Sequence, residues 1–357
     1  MISINAIVFI LMLCTINNPK KIVSMFNERK ENYRKLEEAR NSKLLVYVTS
    51  DRPNLGTQIA SDILSPFTEH LDKIGDVDKI SLYIYTRGGN TLAAWSLVNL
   101  IRNFCKDLEV IIPFNCHSAG TLISLGTNRI IMTKQATLGP IDPSINGPLN
   151  PQIPGTNNPN AKVPVSVEFV DAYLQMAKKE LGIKSQDSLA KVLIDLSNHI
   201  HPLTLGQVYK SKSQIQMLAD KLLSHHDIKE SNKQDVIKFL CSESGSHDYT
   251  IHRKEAKNLG LNIEKPNMDL YKIIKAVYDD IESELMLRTP FDPNVQLGNS
   301  NQADYQLRRA LIESLDYGTD VFVSEGKLIK QITQQGNQQQ TQIQDNRTFE
   351  GWKRENQ

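Results

Sequence analysis

The chain has 357 residues, 40% of them hydrophobic, with 41 Lys+Arg against 40 Asp+Glu; that length can bury a large core in one extended domain or two. Its near-zero net charge argues against wholesale nucleic-acid or anionic-membrane binding, which draws on a basic surplus. Cys14, Cys105, Cys116 and Cys241 lie far apart with no CxxC pair, which leaves zinc-finger and disulfide-framework readings without support and points to free thiols in a reducing compartment.

Residues 1–19 carry no charged side chain, and residues 6–14 form an unbroken apolar run. A spanning helix wants about 20 apolar residues, and residues 2–16 fall short of that. No basic residue precedes the run and no A-x-A pattern follows it, which argues against a cleaved signal peptide. Lys20 and Lys21 would keep the remainder cytoplasmic if the segment inserted. Residues 1–25 are therefore an apolar segment that suits a membrane tether or a buried helix equally well. Residues 26–43 read as a charged connecting helix with i,i+4 pairs such as Glu31 with Lys35.

Residues 44–49 are a short apolar run bounded by polar residues, the pattern of a buried strand. The same signal returns at residues 80–85, 110–113 and 129–133. Between these runs Ile59, Ile63, Phe67 and Leu71 repeat at helical spacing, and Leu92, Trp95, Leu97, Val98, Leu100, Ile101 and Phe104 line a broad apolar face. Strands alternating with helices predict parallel β-α-β units over residues 44 to about 145. Residues 140–164 hold seven prolines and read as a long surface arm. Residues 165–290 are predicted mostly helical, with core-facing stripes such as Leu189, Val192, Leu193 and Leu196. From Gln331 onward nine Gln and few apolar residues predict a disordered tail, 331–357.

Chemistry concentrates in three turns. Tyr85-Thr86-Arg87-Gly88-Gly89-Asn90-Thr91 and Asn115-Cys116-His117-Ser118-Ala119-Gly120-Thr121 each follow a strand and open a helix, where α/β folds gather their ligands. Leu138-Gly139-Pro140-Ile141-Asp142-Pro143 is the third. Ser118 at a helix start suits a nucleophile, and it equally suits an N-cap. Two glycines after a strand permit positive φ and turn an amide outward, so Gly89 and Ala119 can supply a two-amide oxyanion hole. An ordinary tight turn is the alternative. Neither G-x-G-x-x-G nor a P-loop pattern is present. The pairs His225–His226 and His199–His201 lack companion ligands, so no metal and no cofactor are expected.

In this order, Arg87-Gly88-Gly89-Asn90-Thr91, Ser118-Ala119-Gly120-Thr121 and Leu138-Gly139-Pro140-Ile141-Asp142-Pro143 resemble the serine dehydrogenase proteinase family, which belongs with the signal peptide peptidase A-like and Clp-fold serine peptidases. The resemblance covers roughly residues 30–265, including His247-Asp248-Tyr249-Thr250-Ile251. It implies an α/β fold of Clp/crotonase-like stacked β-β-α units, here over residues 44–265, with a helical C-terminal extension over 266–330. It implies a serine endopeptidase working on polypeptide through an acyl-enzyme on Ser118. Gly89 and Ala119 would hold the oxyanion, Gly88 and Asn90 would line the substrate path, and the chain would self-associate. The third turn departs from the Clp pattern, since it lacks the histidine that serves there as base. His247 is the favoured base by position and by the titration range of imidazole. A lysine (Lys134, Lys178, Lys184 or Lys191) is the competitor, as in signal peptide peptidases, whereas His117, one peptide from Ser118, is poorly placed. The rival readings are a crotonase-type acyl-CoA enzyme and a catalytically silent peptide-binding scaffold.

Overall fold

The computed structural model describes residues 19–142, 144–156, 158–226, 228, 230–244, 246, 248–335 and 338–355. The apolar segment 2–16 and His247 lie outside the described residues.

Helix α1 (Pro19–Arg40) leads into β1 (Lys43–Thr49), α2 (Leu64–Ile74), β2 (Val77–Tyr85), α3 (Thr91–Arg102) and β3 (Cys105–Ile112). Then follow the short β4 (Asn115–Cys116), α4 (Ala119–Leu125), β5 (Arg129–Met132) and β6 (Thr137–Leu138). The apolar runs read from the sequence are all strands. Because such strands bury both faces, alternate side chains enter two separate cores. Leu45, Tyr47, Leu82, Ile84, Val110 and Ile112 meet α2, α3 and α4. Leu44, Val46, Tyr83, Tyr85 and Ile111 meet Phe26, Tyr33 and Leu36 of α1 on the other side.

Two successive strands turn off the main sheet at their carboxyl ends. β3 continues into β4 before α4, and β5 continues into β6; β4 and β6 pair in parallel in a small second sheet, where Cys116 also bridges Thr86 beyond β2. This repetition is the stacked β-β-α architecture, and the α/β expectation is met.

Among its described residues the proline-rich arm contains β7 (Ser144–Ile145), paired antiparallel with β8 (Val165–Ser166), and one further bridge between Gln152 and Lys162. The amide of Asn150 staples the arm by donating to the carbonyls of Ile145 (2.6 Å) and Val163 (2.9 Å). Four helices follow: α5 (Val167–Gln175), α6 (Gln186–His199), α7 (Pro202–Leu223) and α8 (Glu230–Lys238). Of these, α7 reaches the main core through Ile215, Leu218 and Leu222. The stripe on α6 does not. No α6 residue is buried, and Leu193, Leu196 and neighbouring apolar side chains instead wall a cavity of about 660 Å³ shared with α5 and α7.

The chain then returns through β9 (Ile251–His252), α9 (Arg253–Asn258) and β10 (Ile263–Glu264). β9 pairs antiparallel with β6, and β10 extends the main sheet beside β5. Helix α10 (Met268–Leu285) covers the α1 face through Ile274, Val277 and Ile281.

The C-terminal region corrects two expectations. Helix α10 and the short α11 (Pro293–Leu297) supply the helical part of the expected extension, but residues 302–314, 318–335 and 338–354 are strands rather than further helix and a disordered tail. They form β11 (Gln302–Ser314), β12 (Gly318–Gln335) and β13 (Gln338–Arg354), an antiparallel meander joined to β1. The full sheet runs β10-β5-β3-β2-β1-β11-β12-β13. Composition misleads here because a strand's backbone bonds depend on its partner rather than on its own apolar content. Leu311, Val321 and Val323 anchor the meander in the core, Phe322 packs edge-on against Trp352, and the glutamine-rich ends of β12 and β13 then pair with each other.

Two buried ion clusters fasten helices to the sheet. Arg29 of α1 donates to Glu313 (2.7 Å), Glu284 (2.6 Å) and Asp280 (2.6 Å), and the Tyr33 hydroxyl also donates to Glu313. Glu109 is buried within β3 and accepts from Arg40 (2.7 Å), Ser81 (2.6 Å) and Lys79 (2.8 Å). Burial alone would raise the Glu109 carboxyl; these hydrogen bonds outweigh it and hold the group below its ordinary value. A depressed folded pKa adds stability that is present above the unfolded carboxylate value and is lost as pH falls through the folded one. Glu109→Gln should therefore lower stability by about 3–5 kcal/mol at neutral pH, the usual effect of leaving buried charges unpaired. Urea unfolding at neutral and acidic pH should show that difference shrinking as pH falls; an equal difference at both would contradict this assignment.

Candidate active site

Ser118 sits between β4 and α4 with φ 52° and ψ −115°, a conformation that a residue with a Cβ adopts only when its surroundings enforce it. Its side chain makes no capping bond to α4, so the N-cap alternative fails. Among the described residues the half-buried hydroxyl has no hydrogen-bond partner.

What enforces the turn is a close meeting of two strand ends. A Cβ placed on Gly88 would lie 2.7 Å from Ser118 Cβ and 2.8 Å from the His117 carbonyl oxygen; one on Gly89 would lie 2.3 Å from the Ile59 carbonyl oxygen. Both glycines also have positive φ, 106° and 143°. Ile59 bridges Gly89 in parallel, its N–H donating to the Gly88 carbonyl (2.8 Å) and its carbonyl accepting from the Asn90 N–H (2.8 Å). The Gly88 carbonyl points at the Ile59 N–H, and across a trans peptide the following N–H points the opposite way, so the Gly89 N–H faces away from Ile59. Among the described residues neither the Gly89 N–H nor the Ala119 N–H has an acceptor. Two free amides thus flank the Ser118 turn.

Thr86, fully buried, joins the two strand ends. Its N–H donates to the Asn115 carbonyl and its carbonyl accepts from the His117 N–H (2.9 and 3.0 Å). Its Oγ1 accepts from the Gly88 N–H (3.0 Å) and the Thr49 hydroxyl (2.8 Å). A Cβ on Gly120 would fall 2.5 Å from its methyl group. On the far side the Thr121 hydroxyl meets the carbonyl (2.7 Å) and N–H (3.1 Å) of Gly139 and so ties the third turn to α4. Sequence reasoning passed over both threonines. The signal was present, since each lies inside a quoted motif and threonine is the residue that fills a core while bonding backbone.

The remaining candidates are dispersed. Asn90 caps α3, accepting from the Ala93 N–H at 2.9 Å. His117 Nε2 pairs with the Thr137 hydroxyl at 2.8 Å. Lys134, Lys178, Lys184 and Lys191 are exposed, and none bonds to Ser118. Beyond His247 the chain forms β9, whose Ile251 pairs with Leu138 in the small sheet that also contains Cys116.

Ser124, Cys116 and Cys105 are disfavoured as nucleophiles by their surroundings. Ser124 is fully buried and donates to the Gly120 carbonyl (2.9 Å). Burial pushes the Cys116 thiol up to about 12, despite a contact with Ser124 that lowers it, and pushes Cys105 up to about 11. A serine–histidine–carboxylate line exists elsewhere, with His70 Nδ1 2.7 Å from Ser314 Oγ and Nε2 3.1 Å from Asp320. Ser314 and His70 are fully buried, so this array clamps α2 to the meander and has no access to substrate.

Residues 1–162 match the family model described as ClpP-like SDH-type serine proteinase. The resemblance read from the three motifs is thereby borne out over that part of the chain, and it supports a peptidase. Two uncharacterized proteins of Methanocaldococcus jannaschii, MJ0137 and MJ1495, are 29% and 28% identical over 52% of this chain. The chain spans about half the length of these curated relatives (53% and 51%). Among solved structures, the 1510-N membrane-bound stomatin-specific protease is 17% identical, over 64% of this chain and 83% of its own, at a TM-score of 0.34. ClpP1 from Listeria monocytogenes is 15% identical, over 66% and 98%, at 0.35. Among the described residues no helix is long and apolar enough to cross a membrane.

Gly88→Ala tests the close approach. The variant should lose about 1–3 kcal/mol from backbone strain and overpacking, read as a shifted urea midpoint. Wild-type stability in this variant would show that the two turns do not need to meet so closely.

Proposed function

We propose that the chain is a serine endopeptidase with Ser118 as nucleophile. The observation that carries this reading is an uncapped serine held at positive φ beside two amides without acceptors. In the proposed reaction Ser118 Oγ attacks the scissile carbonyl carbon while a base takes its proton. The developing oxyanion accepts from the Gly89 and Ala119 N–H groups. Collapse expels the amine and leaves an ester on Ser118, which water then hydrolyses. An extended substrate would pair along the Gly88–Gly89 edge opposite Ile59, with Asn90 acting indirectly by fixing the start of α3. Thr86 is a positioning residue that aims the Gly89 amide.

His247 is the proposed base, because the segment that carries it leads into β9 of the sheet bordering Ser118. Self-association and a tether through residues 2–16 belong to the same proposal.

A fluorophosphonate probe should label the full-length protein at one site, and Ser118→Ala should abolish labelling while changing stability by no more than about 1 kcal/mol, since among the described residues the hydroxyl makes no bond to lose. Labelling that persists in this variant would overturn the assignment and would favour neither the acyl-CoA nor the scaffold reading, since both predict none in the wild type. Thr86→Val keeps the shape and removes the hydroxyl; it should slow labelling while Thr86→Ser restores it.

His247→Ala should slow acylation by about 10²–10⁴-fold and remove a rising limb of the pH profile near the imidazole range of about 6.5. A variant of wild-type rate would transfer the role to a lysine, which single substitutions of Lys134, Lys178, Lys184 and Lys191 would then identify.

A further inference from the structure

We propose that a cavity at the carboxyl ends of β5 and β10 binds a phosphate-bearing small molecule. The cavity holds about 430 Å³ and is lined by Lys134, Arg253, Lys265, Asn267, Met268 and Tyr271. Lys134 follows β5, Lys265 follows β10 directly, and Arg253 follows β9. The crevice beyond the carboxyl ends of parallel strands is where open α/β sheets take ligands.

Three cations thus converge on one cavity, and among the described residues none of them pairs with a carboxylate. The nearest acids in the chain are committed elsewhere. Glu264 binds Arg40 at 2.6 Å, and Asp269 points to solvent beside Lys272.

Two of the cations are held in place. Arg253 Nη1 donates to the Met132 carbonyl at 3.2 Å, which fixes the guanidinium and leaves its other donors free. Lys134 Nζ lies 5.0 Å over the ring of Tyr271, whose hydroxyl reaches Gln135. The cavity also opens onto the start of the 18-residue α10. Asn267 satisfies the Leu270 N–H there (2.8 Å), and among the described residues the N–H groups of Met268 and Asp269 have no acceptor. A planar guanidinium fork, two ammonium groups and outward amides match the several oxygens and double charge of a phosphate better than a single carboxylate. A volume of 430 Å³ leaves room for an organic substituent beside it.

The test titrates the full-length protein with inorganic pyrophosphate by calorimetry, using citrate at matched ionic strength as the carboxylate arm. The expected result is saturable pyrophosphate binding that weakens with salt. Lys134→Gln and Lys265→Gln, both at exposed positions that tolerate substitution, should each weaken it about tenfold. Vesicles containing phosphatidic acid form a further arm. Sedimentation with them that pyrophosphate competes away would assign the phosphate to a lipid headgroup; free binding alone would assign it to a soluble ligand. No saturable binding up to about 10 mM, wild-type affinity in both single variants, or equal affinity for citrate would each overturn the proposal. The readout is binding, so its outcome is separate from that of the peptidase reading.

Discussion

The candidate site depends on one steric fact: the backbone at Gly88 lies where it would collide with the side chain of Ser118 if it carried a Cβ. Bringing two strand ends that close leaves no room for a mobile turn on either side. Thr86 then makes the meeting specific, because its backbone bonds both residues flanking Cys116 while its hydroxyl takes the Gly88 N–H. With the Gly88 N–H and carbonyl both engaged, and Ile59 occupying one edge, the next amide along the chain is directed to the opposite edge. The free Gly89 N–H follows from bonds made by its neighbours. A donor oriented in this way needs no reorganisation when charge develops opposite it, which is the property an oxyanion hole requires.

The wider scaffold holds these turns by covering the sheet on both faces and by burying Glu109 and Arg29 within clusters of opposite charge. Glu109 and Arg29 would each be costly alone in the interior, and they are tolerated because their partners converge from different elements. Glu109 draws in Arg40 from α1 and Lys79 from β2, while Arg29 joins α1 to α10 and β11. These clusters fix which helix lies over which strands, something an apolar interface of similar area would specify less sharply. They sit away from Ser118 and bear on it through the sheet.

The parallel core was legible because its strands are short apolar runs, and nothing but a doubly covered sheet accommodates several of those in succession. The three turns were legible because glycine pairs and small residues after strands have few other uses. What escaped was whatever depends on a partner distant in sequence. The glutamine-rich end looked unfoldable by composition, yet Gln331 to Gln335 find partners in Gln338 to Gln342 through backbone bonds to which composition is blind. The stripe on α6 had helical periodicity but meets only a small satellite cluster, through Leu196, and buries no residue of its own. Thr86 and Thr121 were hidden for a different reason: their hydroxyl contacts span turns whose proximity exists only in the folded chain.

Ser118 shows most clearly how local preference was set aside. A serine before a helix ordinarily gains about 1 kcal/mol by adopting extended φ and capping the first turn. Here it forgoes that bond and adopts a positive φ that costs about 1–3 kcal/mol. Gly120, Thr86 and Gly88 leave no alternative path for the chain, so the fold supplies what the residue itself disfavours. Strain of this kind persists only where surrounding contacts over-determine it, and it leaves the hydroxyl without the capping bond to α4. A serine serving only to end a strand and start a helix would have relaxed into the cap. The departure from that minimum is the strongest physical ground for reading this turn as a nucleophile's seat.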